Sequence, residues 1–188
     1  MSPYELAALL SQAKAEYVLI DGHILGYFTG TPRATVDVDA IVASADITKA
    51  VEAKFPDLKV QDVVYNVRFN SVRSEGRVGA ERVDLVRNNA PLFARILQRY
   101  SGTVSAGEQP LRLPTVEAAV AMKFAAVISP NRGNESRPQD RADLLSLASL
   151  NRNLKLSVLK VLGDLVYPGG GEELKSFCNS VWQGNPSV

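Results

Sequence analysis

At 188 residues, with 46% hydrophobic and 22% charged, the chain has the composition of an ordinary folded protein, which excludes wholesale disorder, collagen-like repetition and a coiled coil. Its long apolar runs, such as Ala118 to Val127, are interrupted by Lys123 and fall short of the roughly 20 residues that cross a bilayer, so no transmembrane helix is expected. One cysteine, Cys178, and one histidine, His23, cannot supply an internal disulfide or a Cys/His zinc site. The first residues carry neither a basic start nor an apolar stretch, and a cytoplasmic location is expected.

The net charge of +1 conceals a gradient. Residues 1–60 hold five Lys or Arg against eight Asp or Glu; residues 61–100 hold seven against four, and residues 121–160 seven against three. An acidic N-terminal part followed by two basic segments would suit carboxylates around a metal facing a phosphate-rich ligand, but from charge alone surfaces that neutralise each other are the favoured reading. A net charge near zero disfavours extended nucleic-acid binding, which neutralises many phosphates with Lys and Arg.

In chain order, Ser2-Pro3-Tyr4-Glu5 reads as a helix start with a capping box, and Leu6, Leu9, Leu10 and Ala13 recur on one face to about Lys14. Tyr17 to Ile20 is a short apolar strand. After a short helix, the turn Gly30-Thr31-Pro32 leads into a strand over Val36 to Val42. Residues 47 to 54 have helical spacing and stop at Phe55-Pro56. Val60 to Phe69 and Arg82 to Val86 are rich in β-branched residues and predict an antiparallel pair around a Gly76 to Gly79 turn region. Pro91 to Tyr100 predicts a helix, and Thr103 to Leu113 a polar connection with room for one strand. Thr115 caps a helix to about Ile128, and Ser129 to Pro138 is the loop most suited to flexibility. Helical patterns then cover Asp140 to Leu150, Leu154 to Val166 and Glu172 to Trp182, broken at Pro168 to Gly171. The reading is an α/β (α+β) core over 1–113 and a helical C-terminal part over 114–188 packed on it.

Alternation along Val36 to Val42 sends Asp37 and Asp39 to one face and Val36, Val38 and Ala40 to the other. Two carboxylates on one face repel, which is tolerable in water or around a cation; Mg²⁺ accepts a few carboxylate oxygens and keeps other positions for water and phosphate. An exposed edge strand explains the same pattern. Asp84, within Arg82-Val83-Asp84-Leu85-Val86, is a third carboxylate able to join the pair on one sheet, or to face solvent from an edge. Lys123 interrupts an alanine-rich helix where an unpaired ammonium would be costly, so it should reach a carboxylate or a phosphate.

Tyr17-Val18-Leu19-Ile20-Asp21-Gly22-His23 followed by Pro32-Arg33-Ala34-Thr35-Val36-Asp37-Val38-Asp39 resembles the signature of the minimal nucleotidyltransferases of the polymerase-beta-like superfamily, and within it the abortive-infection toxin type and its uncharacterised relatives. Asp84 matches the third carboxylate. Ala121-Met122-Lys123-Phe124-Ala125-Ala126 and Arg137-Pro138-Gln139-Asp140-Arg141-Ala142-Asp143 resemble two further segments of that subgroup, so the likeness covers about residues 17 to 150. It implies a small mixed sheet flanked by helices. It also implies an enzyme using Mg²⁺ (or Mn²⁺) to move a nucleoside monophosphate from a nucleoside triphosphate to an acceptor: a protein, an RNA end or a small molecule.

In that reading Asp37, Asp39 and Asp84 are the metal ligands and, with Lys123 and Asp143, the catalytic group. Gly22, His23, Arg33, Thr35 and Lys123 bind the triphosphate. Two departures stand out. One of two small residues expected at the phosphate turn is replaced, by Asp21 or by His23 depending on register, and Gln139 stands where the family has lysine. A non-catalytic member that binds nucleotide, or a toxin–antitoxin-type interaction protein using its C-terminal helices as a partner surface, is the alternative expectation. Phe177 and Trp182 read as core anchors.

Overall fold

The computed structural model describes residues 2–20, 22–31, 37–43, 47–54, 58–62, 66–71, 82–106 and 109–185. The chain forms two compact units, Met1–Ile24 with Arg33–Pro114, and Leu25–Pro32 with Thr115–Val188. Helix α2 (Gly22–Thr29) therefore begins in the first unit and ends in the second.

In the first unit, α1 (Pro3–Gln12) starts on a complete capping box: the Ser2 amide donates to Glu5 Oε2 at 2.7 Å and the Glu5 amide to Ser2 Oγ at 3.2 Å. Its buried face is Leu6, Ala7, Leu9 and Leu10, and Lys14, at φ 54°, lies just past its end. Strands β1 (Tyr17–Ile20), β2 (Asp37–Val42), β3 (Leu58–Asp62), β4 (Asn66–Ser71) and β5 (Arg82–Arg87) form a mixed sheet in the order β1-β2-β5-β4-β3. Only the β2–β5 pairing is parallel among them. Helix α3 (Ile47–Lys54) packs on α1, and α4 (Pro91–Arg99) on β1 and β2. A hairpin of β6 (Ser101–Ala106) and β7 (Gln109–Pro114) packs through β7 against β1 and α1.

Two stretches differ from the sequence reading. The β-branched run Val60 to Phe69 is divided between β3 and β4, which pair antiparallel with Asp62 opposite Val67. Strand propensity marks a fit to a pleated surface and carries no information on where the chain reverses. The polar connection Thr103 to Leu113 contributes to a full hairpin. Leu111 and Leu113 are buried, while Arg112 between them donates to the Leu97 carbonyl at 2.7 Å and to Ser101 Oγ at 3.2 Å, closing the end of α4.

The second unit is helical: α5 (Val116–Ile128), α6 (Arg137–Leu150), α7 (Leu156–Asp164) and α8 (Gly170–Trp182). Thr115 caps α5 through the Ala118 amide at 3.3 Å. Leu144, Leu147, Leu159, Leu162 and Leu174 are fully buried. Trp182 anchors α8 by donating from Nε1 to the Ala148 carbonyl at 2.8 Å, and Asn151 ties the end of α6 to α2 through the Phe28 carbonyl at 3.3 Å. Helix α8 starts earlier than its sequence pattern suggested, at Gly170, because glycines let it approach α7 closely. A Cβ at Gly163 would come within 2.7 Å of the Gly170 carbonyl oxygen and the Gly171 Cα. No helix among the described residues is long and apolar enough to cross a membrane.

Candidate active site

The parallel pairing of β2 and β5 sets Asp39 directly beside Asp84, with Val38 beside Val83 and Ala40 beside Leu85. Residues in register on neighbouring strands point to the same face, and side chains alternate along each strand. One face of this pair therefore presents Asp39 and Asp84, with Asp37 two residues before Asp39. The other carries Val38, Ala40, Val83 and Leu85, all 3% exposed or less. The apolar residues fix which way the carboxylates point, since a one-residue slip would bury the acids in their place.

Asp39 and Asp84 are themselves 8% and 7% exposed, and Asp37 is half-buried. Burial of two adjacent carboxylates raises their mutual repulsion, and a hard cation with oxygen ligands is suited to such a donor set. Among the described residues, however, no three His, Cys, Asp or Glu side chains are gathered as a metal centre. The donor chemistry thus fits Mg²⁺ through the Asp39–Asp84 pair, with Asp37 on the same face but outside a gathered cluster.

On the phosphate side, Gly22 is buried at the first position of α2. Asp21, Arg33 and Thr35 lie outside the described residues, as does the side chain of His23.

Lys123 and Asp143, in the second unit, are brought together. Lys123 Nζ lies 2.9 Å from Asp143 Oδ2 and 3.2 Å from Asp140 Oδ1, with the lysine side chain 12% exposed and both aspartates at 2%. Of the two partners foreseen for this lysine, carboxylate or phosphate, the structure contains the carboxylates. Asp140, in the first turn of α6, is the hub: its other oxygen receives Arg132 Nε at 2.6 Å. Gln139, at the position where the resemblance has lysine, donates to Asp143 Oδ1 at 2.8 Å. The three-residue spacing of Asp140 and Asp143 on one helix face was the available signal for this cluster.

Loop 129–136 is fastened to α6 by the same group. Besides Arg132, Arg137 donates to the Ser129 carbonyl at 2.8 Å and to the Arg132 carbonyl at 3.2 Å. The proline, glycine and asparagines that mark this loop as flexible say nothing about these arginine contacts, which oppose a freely moving lid. Cys178 is buried, and burial pushes its thiol up to about 12, so it is protonated and unreactive near neutrality.

No protein-family model matches the sequence, and no curated protein matches it. Among solved structures, the chain is similar to an antigenic nucleotidyltransferase-like protein from Paracoccidioides brasiliensis, at 16% identity and TM-score 0.57, over 98% of this chain and 92% of that one. It is similar to JHP933 from Helicobacter pylori, at 16% identity and TM-score 0.53, over 96% and 90% of the two chains. It is also similar to the antibiotic-resistance factor ANT(2'')-Ia, at 14% identity and TM-score 0.51, over 94% and 89%. Together with the mixed sheet and the helices that follow it, these likenesses show that the chain has the nucleotidyltransferase fold.

Proposed function

We propose that the chain is a Mg²⁺-dependent nucleotidyltransferase that moves a nucleoside monophosphate from a nucleoside triphosphate to an acceptor, whether a protein, an RNA end or a small molecule. The observation that carries this reading is the register of β2 and β5, which aligns buried Asp39 with buried Asp84 inside a nucleotidyltransferase fold. Asp39 and Asp84, with Asp37, would hold Mg²⁺ or Mn²⁺. Bound there, the ion supplies Lewis acidity to the phosphates and lowers the pKa of an attacking hydroxyl. Gly22 and His23 at the start of α2 would favour the triphosphate through their backbone amides and the positive end of the helix, and Arg33 and Thr35 would add a guanidinium and a hydroxyl. For Lys123 and Asp143 the ion pairs support a structural role ahead of a catalytic one.

The replacement of one small residue at the phosphate turn, by Asp21 or by His23, motivates a second reading, a non-catalytic member that binds nucleotide or a toxin–antitoxin-type partner. The partner version needs an apolar stripe on the C-terminal helices. Within 154–182, Val161 is the one large hydrophobic residue more than a third exposed among the described residues, at 42%.

Thermal melts separate the readings. With Mg²⁺ or Mn²⁺ plus triphosphate at about 100 times the dissociation constant, binding to the native state should add about 2.7 kcal/mol, a rise of roughly 5–10 °C for a chain of this size. Asp37→Ala/Asp39→Ala should lose the metal-dependent part of that rise. An equal rise in the double variant removes the metal site, and triphosphate binding that is indifferent to metal supports the non-catalytic reading.

A further inference from the structure

The helical unit contains a cavity of about 200 Å³ between α5, α6 and α8. Its apolar wall is Phe124, Val127, Leu144 and Phe177, all buried, and it opens to solvent past the exposed Glu173 and Ser176. Three polar residues of α8, Glu173, Ser176 and Ser180, recur at helical spacing on the remaining side. The Ser180 hydroxyl is spent on its own helix, donating to the Phe177 carbonyl at 2.8 Å. Glu173 is the charged group of the lining, and its surroundings are arranged in an uneven way. Its neighbour Glu172 takes both nearby lysines, Lys160 at 3.2 Å and Lys175 at 2.9 Å. Among the described residues Glu173 forms no ion pair, and it accepts a hydrogen bond from the Tyr167 hydroxyl. The Tyr167 ring in turn stacks on Phe124, with centroids 6.2 Å apart, so the carboxylate is held at the end of an aromatic wall.

We infer that this cavity binds a small apolar primary amine, with its ammonium on Glu173 and its body against Phe124 and Phe177. A carboxylate beside aromatic faces is complementary to an organic cation in both charge and quadrupole. The volume suits a single ring, since a dry cavity of about 150 Å³ holds benzene. The inference is independent of nucleotidyl transfer and stands whichever reading of the carboxylate pair is right.

Benzylamine, benzyl alcohol and benzoate are the probes, followed by ¹H–¹⁵N NMR titration of the full chain. Benzylamine should shift the amides of Phe124, Glu173 and Phe177 and bind more tightly than the isosteric alcohol, with benzoate weakest. Glu173 is exposed, so the charge contributes a modest factor: Glu173→Gln should weaken benzylamine about three- to tenfold while leaving the alcohol unchanged. Ser176→Trp, at an exposed rim position, should block both. Equal affinity of wild type and Glu173→Gln for benzylamine, preference for benzoate, or shifts that map elsewhere would overturn the inference. Unchanged dispersion of the variants' spectra shows that the fold is intact.

Discussion

Gly171→Ala should destabilise the protein by about 3 kcal/mol or more, although alanine is the better helix former. Inside a helix the exchange ordinarily gains up to about 1 kcal/mol. Here the added Cβ would overlap the Lys160 carbonyl oxygen and come within 2.8 Å of Asp164 Oδ1. Asp164 cannot simply swing away, because it accepts from the Gly171 amide at 3.0 Å and pairs with Lys160 at 3.0 Å. Those contacts hold its carboxyl below the usual range, the Lys160 hydrogen bond first and the Gly171 amide next. The backbones of α7 and α8 must therefore part, and overpacking against backbone belongs at or above the upper end of the usual 1–3 kcal/mol range. Gly133→Ala is the matched control: nothing lies within 4 Å of its Cβ, and it should melt with the wild type. Urea unfolding of the three proteins checks the prediction, and a Gly171→Ala midpoint equal to that of Gly133→Ala would contradict the close approach.

Lys123→Ala should cost about 3 kcal/mol, because it removes a cation shared by two buried carboxylates, of which Asp140 keeps Arg132. Asp143→Ala should cost less, since Lys123 keeps Asp140. Removing both should cost less than the sum, the signature of direct coupling. Were Lys123 a phosphate ligand with Asp143 activating the acceptor, stability would barely move and triphosphate affinity would fall instead. The 2.9 Å contact and the burial of both partners favour the first outcome.

The carboxylate strands were legible because alternation is a local property: Val36 to Val42 and Arg82 to Val86 each announce which residues share a face, and the parallel register then aligns them. The partner of Lys123 was not legible. Helical spacing shows that an ammonium interrupts an apolar face but cannot distinguish a phosphate from a carboxylate seventeen or twenty residues away. Glycines misled for a related reason. Pro168 to Gly171 has the composition of a break, yet Gly170 and Gly171 already belong to α8 and are small because another helix lies against them. The two hairpins were blurred because β-branched and polar residues signal strand or loop without marking the reversal.

The most direct test of the proposed activity is transfer itself. Each α-³²P-labelled nucleoside triphosphate is incubated with Mg²⁺, cell extract and either wild type, Asp39→Asn or Asp84→Asn. Wild type should attach label to an acceptor in a metal-dependent manner. Each variant, folded by its melting curve, should lose at least about a hundredfold of that rate, in keeping with the several kcal/mol that metal assistance supplies. Transfer that survives in both variants, or a wild type that neither transfers label nor binds triphosphate with Mg²⁺, would contradict the proposal.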